Sequence, residues 1–283
     1  MWSRNKANLY IRDALDDFHY DPKALPSPIA QRKIYRNKLM LTHLIGFGGG
    51  GTLSSPGTSY LISDSTSFAG KLTSPDHADW TPGGGSGNFT LETWVNFNAL
   101  TGYPGFFSQY ADGGNFWHLR QSVTEQGVQW RHVDNDHNGF YFEHPWNPSL
   151  GTWYHVAVIR GWSGNADDYA ITIDGSSIGT TTNAYTLVDL ATPVRIGCGH
   201  GANYIEAYID EIRFSDTARW TSNFSPSTIP YTSDANTLLL IHCDEAITSG
   251  TTGSGATFTD SGNTGHTMTE YSGCIRDTST AKF

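Results

Sequence analysis

Apolar and polar residues alternate in short runs through the middle of this chain, and the runs break at turn residues. In Tyr169-Ala-Ile171-Thr-Ile173 the large apolar side chains take every second position, and Asp174-Gly175 follows at once. A period of two places one row of side chains on a single face of a strand. Asp-Gly at its end is the signal of a type I′ hairpin turn. Residues 89–95, 151–160 and 208–214 have the same strand character. Residues 129–133 and 140–143 flank Asn138-Gly139, a second hairpin signal. Leu238, Leu239, Leu240 and Ile241 instead form an unbroken apolar run. That is the pattern of a strand buried on both faces. It is expected inside a sheet, beside strands from the first part of the chain, with Phe283 near Tyr60.

The first residues follow another rule. Tyr10, Ala14 and Phe18, with Ile11 and Leu15 beside them, recur at helical spacing until Asp21-Pro22 stops the run. Ser27-Pro28 places a capping residue before a first-turn proline and opens a second short helix toward Arg36. Helices this short are marginal alone, so their apolar stripe needs a surface to pack on. Four glycines close residues 45–51 as a hinge. The expected division is an arm over residues 1–51 and one β-domain over residues 52–283.

Composition agrees with many short strands: 31 glycines for the turns and 13% aromatic residues for the core. Charge sharpens the division. The net charge is −10, but residues 1–44 hold eight basic and four acidic side chains while the remainder holds nine and 23. The arm is thus +4 and the body −14. An acidic body argues against nucleic acid as its partner, and the basic arm suits an acidic protein surface. No stretch approaches the roughly 20 apolar residues of a membrane span, and Met1-Trp-Ser-Arg-Asn-Lys has no apolar run behind it, so no cleaved secretory signal is expected. Cys198, Cys243 and Cys274 form an odd set without metal spacing and are expected as reduced structural thiols.

Taken together, the strand motifs resemble the laminin-G-like branch of the concanavalin A-like lectin/glucanase superfamily, as found in structural proteins of tailed bacteriophages. The resemblance runs from Ser74-Pro-Asp-His-Ala-Asp79-Trp80 through Phe89-Thr-Leu-Glu-Thr-Trp94-Val95 and Ile209-Asp-Glu-Ile-Arg213 to Ala218-Arg-Trp-Thr-Ser-Asn-Phe224. It implies an all-β fold, an antiparallel β-sandwich of the jelly-roll, concanavalin A-like type. Residues 236–283 resemble the opening strands of such a unit, so they look permuted to the C-terminal side and are expected to close within the chain rather than exchange with a neighbour. The resemblance further implies a virion surface protein (head decoration, head fibre or tail adhesin) assembled in the host bacterial cytoplasm. Its partners would be other virion proteins, met through residues 1–44, and host glycans, and it would act as a homo-oligomer or in many copies. The other readings are a free bacterial glycan-binding module and a degenerate glycoside hydrolase.

Candidate chemistry is sparse. The glucanases of this superfamily carry Glu-x-Asp-x-x-Glu on one strand, with two carboxylates about 5–5.5 Å apart in the retaining mechanism. Here Glu206 and Glu211 keep the outer spacing, but Tyr208 stands at the central position, so no catalysis is expected. Asp134, Asp136 and Asn138 begin like an oxygen-rich calcium loop, yet Pro145 occupies the place of its bidentate glutamate. A plain hairpin turn is the competing reading. His118, His132, His137 and His144 gather around this hairpin without metal-specific spacing. For glycans, which stack on aromatic faces, the loop-proximal Trp130, Tyr141, Trp146 and Trp162 are the candidates, whereas Trp94 and Trp153 are expected in the core.

Overall fold

The structure is a computed structural model and describes residues 59–283 apart from 63, 66–67, 135–138, 200–202, 245–256, 272–273 and 278–280. The arm expected over residues 1–51 lies outside the described residues. The chain opens with β1 (Ser59–Ile62), β2 (Asp64–Ser65), β3 (Phe68–Ala69), β4 (Lys71–Ser74), β5 (Phe89–Ala99) and β6 (Gly105–Asp112). It continues through β7 (Asn115–Ser122), β8 (Gly127–Val133), β9 (Gly139–Pro145), β10 (Trp153–Arg160), β11 (Asp168–Ile173) and β12 (Ser176–Thr182). The last strands are β13 (Val194–Ile196), β14 (Glu206–Ser215), β15 (Thr237–Ile241), β16 (Thr257–Phe258), β17 (Met268–Tyr271) and β18 (Cys274–Asp277).

These strands form an antiparallel sandwich. The first sheet runs β12-β11-β10-β5-β14-β1-β18, with β15 also paired to β14, and the second runs β16-β17-β4-β13-β6-β7-β8-β9. The Asp174-Gly175 turn forms between β11 and β12, with φ of 50° and 75° at its two residues, as a type I′ turn requires. Strand β14 organises the first sheet. One of its edges pairs with β5, while the other pairs with β1 near Ile209 and then with β15 from Ile212 onward. Where the partner changes, one extra residue bulges between Asp210 and Arg213, and Glu211 takes a φ of 48°.

The space between the sheets is filled by alternate residues of both. Phe89 meets Trp130 at 5.4 Å, Phe97 meets Phe106 at 6.0 Å and Tyr169 meets Phe140 at 5.0 Å between ring centres. The run 238–241 is a strand buried on both faces, as its composition predicts, but among the described strands it pairs with β14 alone, a correction to the expected place inside a sheet beside strands from the first part of the chain. Leu239 and Ile241 join this core and Leu240 packs on the opposite side with Trp94 and Tyr231.

The outward side of the first sheet is also covered. Residues 216–236 cross it as a strap, setting Ala218, Trp220 and Phe224 over Ala157, Ile159 and Ala170, and Tyr231 beside Trp94. Trp94 is therefore buried in this outer layer and not between the sheets, and Trp153 packs half-buried against the same layer, a correction to the expected core. Alternation assigns them to one face but cannot say that the face is the outer one. Phe283 packs edge-on against Trp94 at 6.0 Å. The C-terminal strands join both sheets, β18 against β1 and β17 against β4. Cys198 and Cys243 are buried, and the Cys274 side chain lies outside the described residues.

Candidate functional site

The second sheet has one face on the core, carrying Trp117, Leu119, Val128, Trp130, Phe140 and Phe142. Opposite parity turns the intervening residues outward. Register then sets them in rows: Arg195, Ser108, His118, Arg131 and Tyr141 lie side by side across β13, β6, β7, β8 and β9, and Arg120, Gln129 and Glu143 form the next row. The rows are tied together. Arg120 Nε donates to Gln129 Oε1 at 2.7 Å, Gln129 Nε2 donates to the Tyr141 hydroxyl at 3.0 Å, and the Arg120 guanidinium lies 4.3 Å from the Tyr103 ring centre. Arg131 sits over Phe116 at 5.2 Å, and Arg195 over Tyr110 at 5.6 Å. Tyr141 stands at the outer end of this ladder and is 52% exposed. On this side of the sheet Tyr141 offers an exposed flat ring and Arg131, Arg195 and Glu143 are half-buried, whereas Ser108, His118, Arg120 and Gln129 are buried and fix the ring from beneath. A ring of this kind packs on apolar C–H surface, and the polar neighbours donate to and accept from hydroxyls.

The first sheet's outward face holds a different set. Glu92 of β5 is fully buried beneath the strap. Its Oε2 faces His155 Nε2 at 3.0 Å, its Oε1 accepts from Arg213 at 2.7 Å, and Arg219 Nε lies 3.8 Å away. Burial alone would push its pKa up. The hydrogen bond from His155 and the charge of Arg213 outweigh that and hold Glu92 below the ordinary carboxylate value. Arg219, on the strap, also grips Asp234 through two parallel bonds of 2.9 and 3.0 Å, the bidentate geometry that arginine forms with carboxylates. This bond chiefly lowers the Asp234 pKa. Alternation alone did not flag Glu92. The legible signal was charge at facing outward positions, Glu92 opposite Arg213 in register.

Of the glycan candidates, Tyr141 is exposed, on the side of the second sheet away from the core. Trp130 points the other way, is 0% exposed and packs between Phe89 and Trp117, so its ring is not available to solvent. Trp162 is buried under the strap, and Trp146 packs half-buried on Phe97 and Tyr154. Asp134 is half-buried at the end of β8, and the other two calcium candidates, Asp136 and Asn138, lie outside the described residues, as does His137. His118 and His132 are on neighbouring strands, but on opposite faces: His118 pairs with Arg131, and Trp117 with His132. His144 sits against Gly179 of β12 at the sandwich edge. Glu211 is 1% exposed; its carboxylate accepts from the Tyr231 N–H at 2.8 Å and lies 2.8 Å from His242 Nδ1. Asp210 likewise accepts from the N–H groups of Glu211 and Lys282.

Residues 66–222 match the Laminin_G_3 family of the concanavalin A-like lectin/glucanases superfamily. The chain belongs to this family. Among solved structures, it resembles a candidate carbohydrate-binding protein of Bacteroides ovatus, with a TM-score of 0.54, 14% identity and 79% of this chain covered. It spans 60% of that protein's length. A heptameric SAP-like pentraxin of Limulus polyphemus gives a TM-score of 0.49 at 16% identity, over 80% of this chain and 96% of the pentraxin. No curated protein matches the sequence. Among the described residues no helix is long and apolar enough to cross a membrane.

Proposed function

We propose that the β-domain is a non-enzymatic, lectin-like module that holds carbohydrate on the outward face of its second sheet, displayed on the surface of a phage particle. The observation that carries the reading is the exposed Tyr141 ring held by an otherwise buried polar ladder. The strap covers the first sheet, whereas the second presents Tyr141 at the end of the Arg120–Gln129–Tyr141 hydrogen-bonded ladder. Family membership supports lectin-like use, and the Bacteroides ovatus protein is one ascribed to carbohydrate binding. The carboxylates of Asp210 and Glu211 are engaged by backbone N–H groups under the covered face, which supports a non-catalytic role. Phage display of the domain rests on the motif resemblance and on the +4 arm attached to a −14 body, a charge pattern suited to anchoring residues 1–44 on an acidic virion protein in multiple copies.

Glycan-array screening of the full chain tests the binding site. Tyr141→Ala leaves Gln129 Nε2 without its acceptor and so should lower the melting temperature modestly, with strand content retained, while abolishing the signal on whichever glycans the parent chain retains. Binding by the parent that survives Tyr141→Ala at full strength would place the site elsewhere, and a parent chain silent on bacterial surface glycans would remove the lectin reading. A second reading, a free bacterial glycan-binding module, is favoured by the bacterial source of the matched structure. It predicts the same array result but no incorporation of the chain into particles.

A further inference from the structure

Away from both outer faces, the turn after β4 and the loop joining β16 to β17 bring three metal-ligating side chains together. His77 Nδ1 lies 3.2 Å from Asp79 Oδ1, and His266 Nε2 lies 2.9 Å from Asp79 Oδ2, although His266 is 187 residues away along the chain. The donor atoms of all three lie within 4.8 Å of one another. The surroundings hold two of them in place. Thr264 donates its hydroxyl to Asp79 Oδ2 at 2.6 Å. The backbone N–H of His266 donates to Asp260 Oδ2 at 2.7 Å, and the His266 ring packs on Trp80 at 4.4 Å. The other Asp260 oxygen accepts from Leu240 and Gly262, so the loop that carries His266 is braced by β15. His266 is 6% exposed at its side chain, Asp79 18% and His77 45%. The cluster is thus anchored on one side and open on the other.

We propose that His77 Nδ1, the Asp79 carboxylate and His266 Nε2 form a binding site for a divalent transition-metal ion of the Zn²⁺ type. Zinc holds histidine nitrogen and carboxylate oxygen at about 2.0–2.2 Å in a tetrahedron, which sets donor atoms roughly 3.3 Å apart. The two carboxylate–imidazole separations already lie close to that spacing. Only the imidazoles must approach each other, and the exposed His77 supplies the movement by giving up the 3.2 Å hydrogen bond its Nδ1 accepts from the Asp79 N–H. Two nitrogen donors select this class of ion over Ca²⁺, which takes six to eight oxygens. Thr264 holds the carboxylate from the second shell, the arrangement that orients metal ligands in general. Three protein donors leave the fourth position to water. The ion ties the β16–β17 loop to the β4 turn, where β17 and β4 are otherwise joined by only three paired residues.

Titration of the chelator-treated full chain with Zn²⁺ by calorimetry tests the site, with Co²⁺ absorption as a reporter of geometry. One high-affinity equivalent of zinc and the intense visible bands of tetrahedral cobalt are expected, with a rise in melting temperature on zinc addition. His77→Ala should abolish all three, read against that variant's own metal-free melting temperature, since the substitution also removes the acceptor of the Asp79 N–H. Thr264→Val should weaken zinc binding by about 10–100-fold. Absence of binding by the parent chain would reduce the cluster to a hydrogen-bonded clasp, and zinc affinity unchanged in His77→Ala would assign the ion to other histidines. Either result overturns the proposal.

Discussion

Glu92 is the residue on which the covered side of the molecule turns. A buried carboxylate is costly to desolvate, and its partners recover that cost only while the set is complete. Glu92→Ala strands Arg213 and His155 without their acceptor, and the expected loss is about 3–5 kcal/mol, read from urea denaturation. Glu92→Gln, which keeps one carbonyl acceptor but no charge, should fall between the parent and Glu92→Ala. An alanine variant as stable as the parent would show that the cluster contributes nothing to folding. At this scale the sequence was least informative. Glu92 lies in a motif legible as a strand, but its partners come from residues 155 and 213 and from Arg219 on the strap. Likewise Asp79 and His266 are 187 residues apart along the chain, and only the fold joins them with His77.

At the scale of elements, the strap depends on the hairpin turn beneath it. The Phe224 N–H donates to the Gly175 carbonyl at 2.9 Å, and a β-carbon on Gly175 would run into the Phe224 carbonyl oxygen. Gly175 also needs its φ of 75°. Gly175→Val therefore strains the turn by about 1–3 kcal/mol and lifts the strap, where Trp220 and Phe224 stack at 3.6 Å. The expected outcome is faster proteolysis within residues 216–236 with strand content retained by circular dichroism. Proteolysis and stability equal to the parent's would separate the strap from the turn. This hairpin was legible because everything that defines it is local: alternation at Tyr169, Ile171 and Ile173, then Asp-Gly. The run 238–241 was also legible, since continuous apolarity records burial on two faces. The strap was not. Its aromatic residues have no period, and its role exists only because the outward faces of β5, β10 and β14 carry Trp94, His155 and Arg213, which need a cover.

For the whole molecule, buried titratable groups limit stability from both sides of neutrality. Burial, with Arg160 adding to it, holds the His132 pKa down to about 4, against 6.5 for the free side chain. Between these values the unfolded chain takes up a proton that the native one refuses, so stability is lost as pH falls from 6.5 toward 4. Glu92, held below 4.5, extends the loss at lower pH. Asp210 acts in the opposite sense: burial, aided by Glu211 and Asp244 against two N–H donors, pushes it up to about 8. Its native-state proton stabilises fully below 3.8, and that contribution is lost as pH rises through 8. In melting temperatures followed against pH, His132→Leu should extend the acid flank and Asp210→Asn should flatten the fall toward pH 8. Variants that track the parent curve would remove both groups as its cause. The change of partner along β14 has a further consequence, in time. Half of one β14 edge is completed by residues 59–62 and half by residues 237–241, while β1 itself is flanked by β18. Contacts spanning this much chain give a high contact order and slow folding. On the ribosome, β14 emerges with that edge half vacant, and the sandwich cannot close until residue 277 has been made.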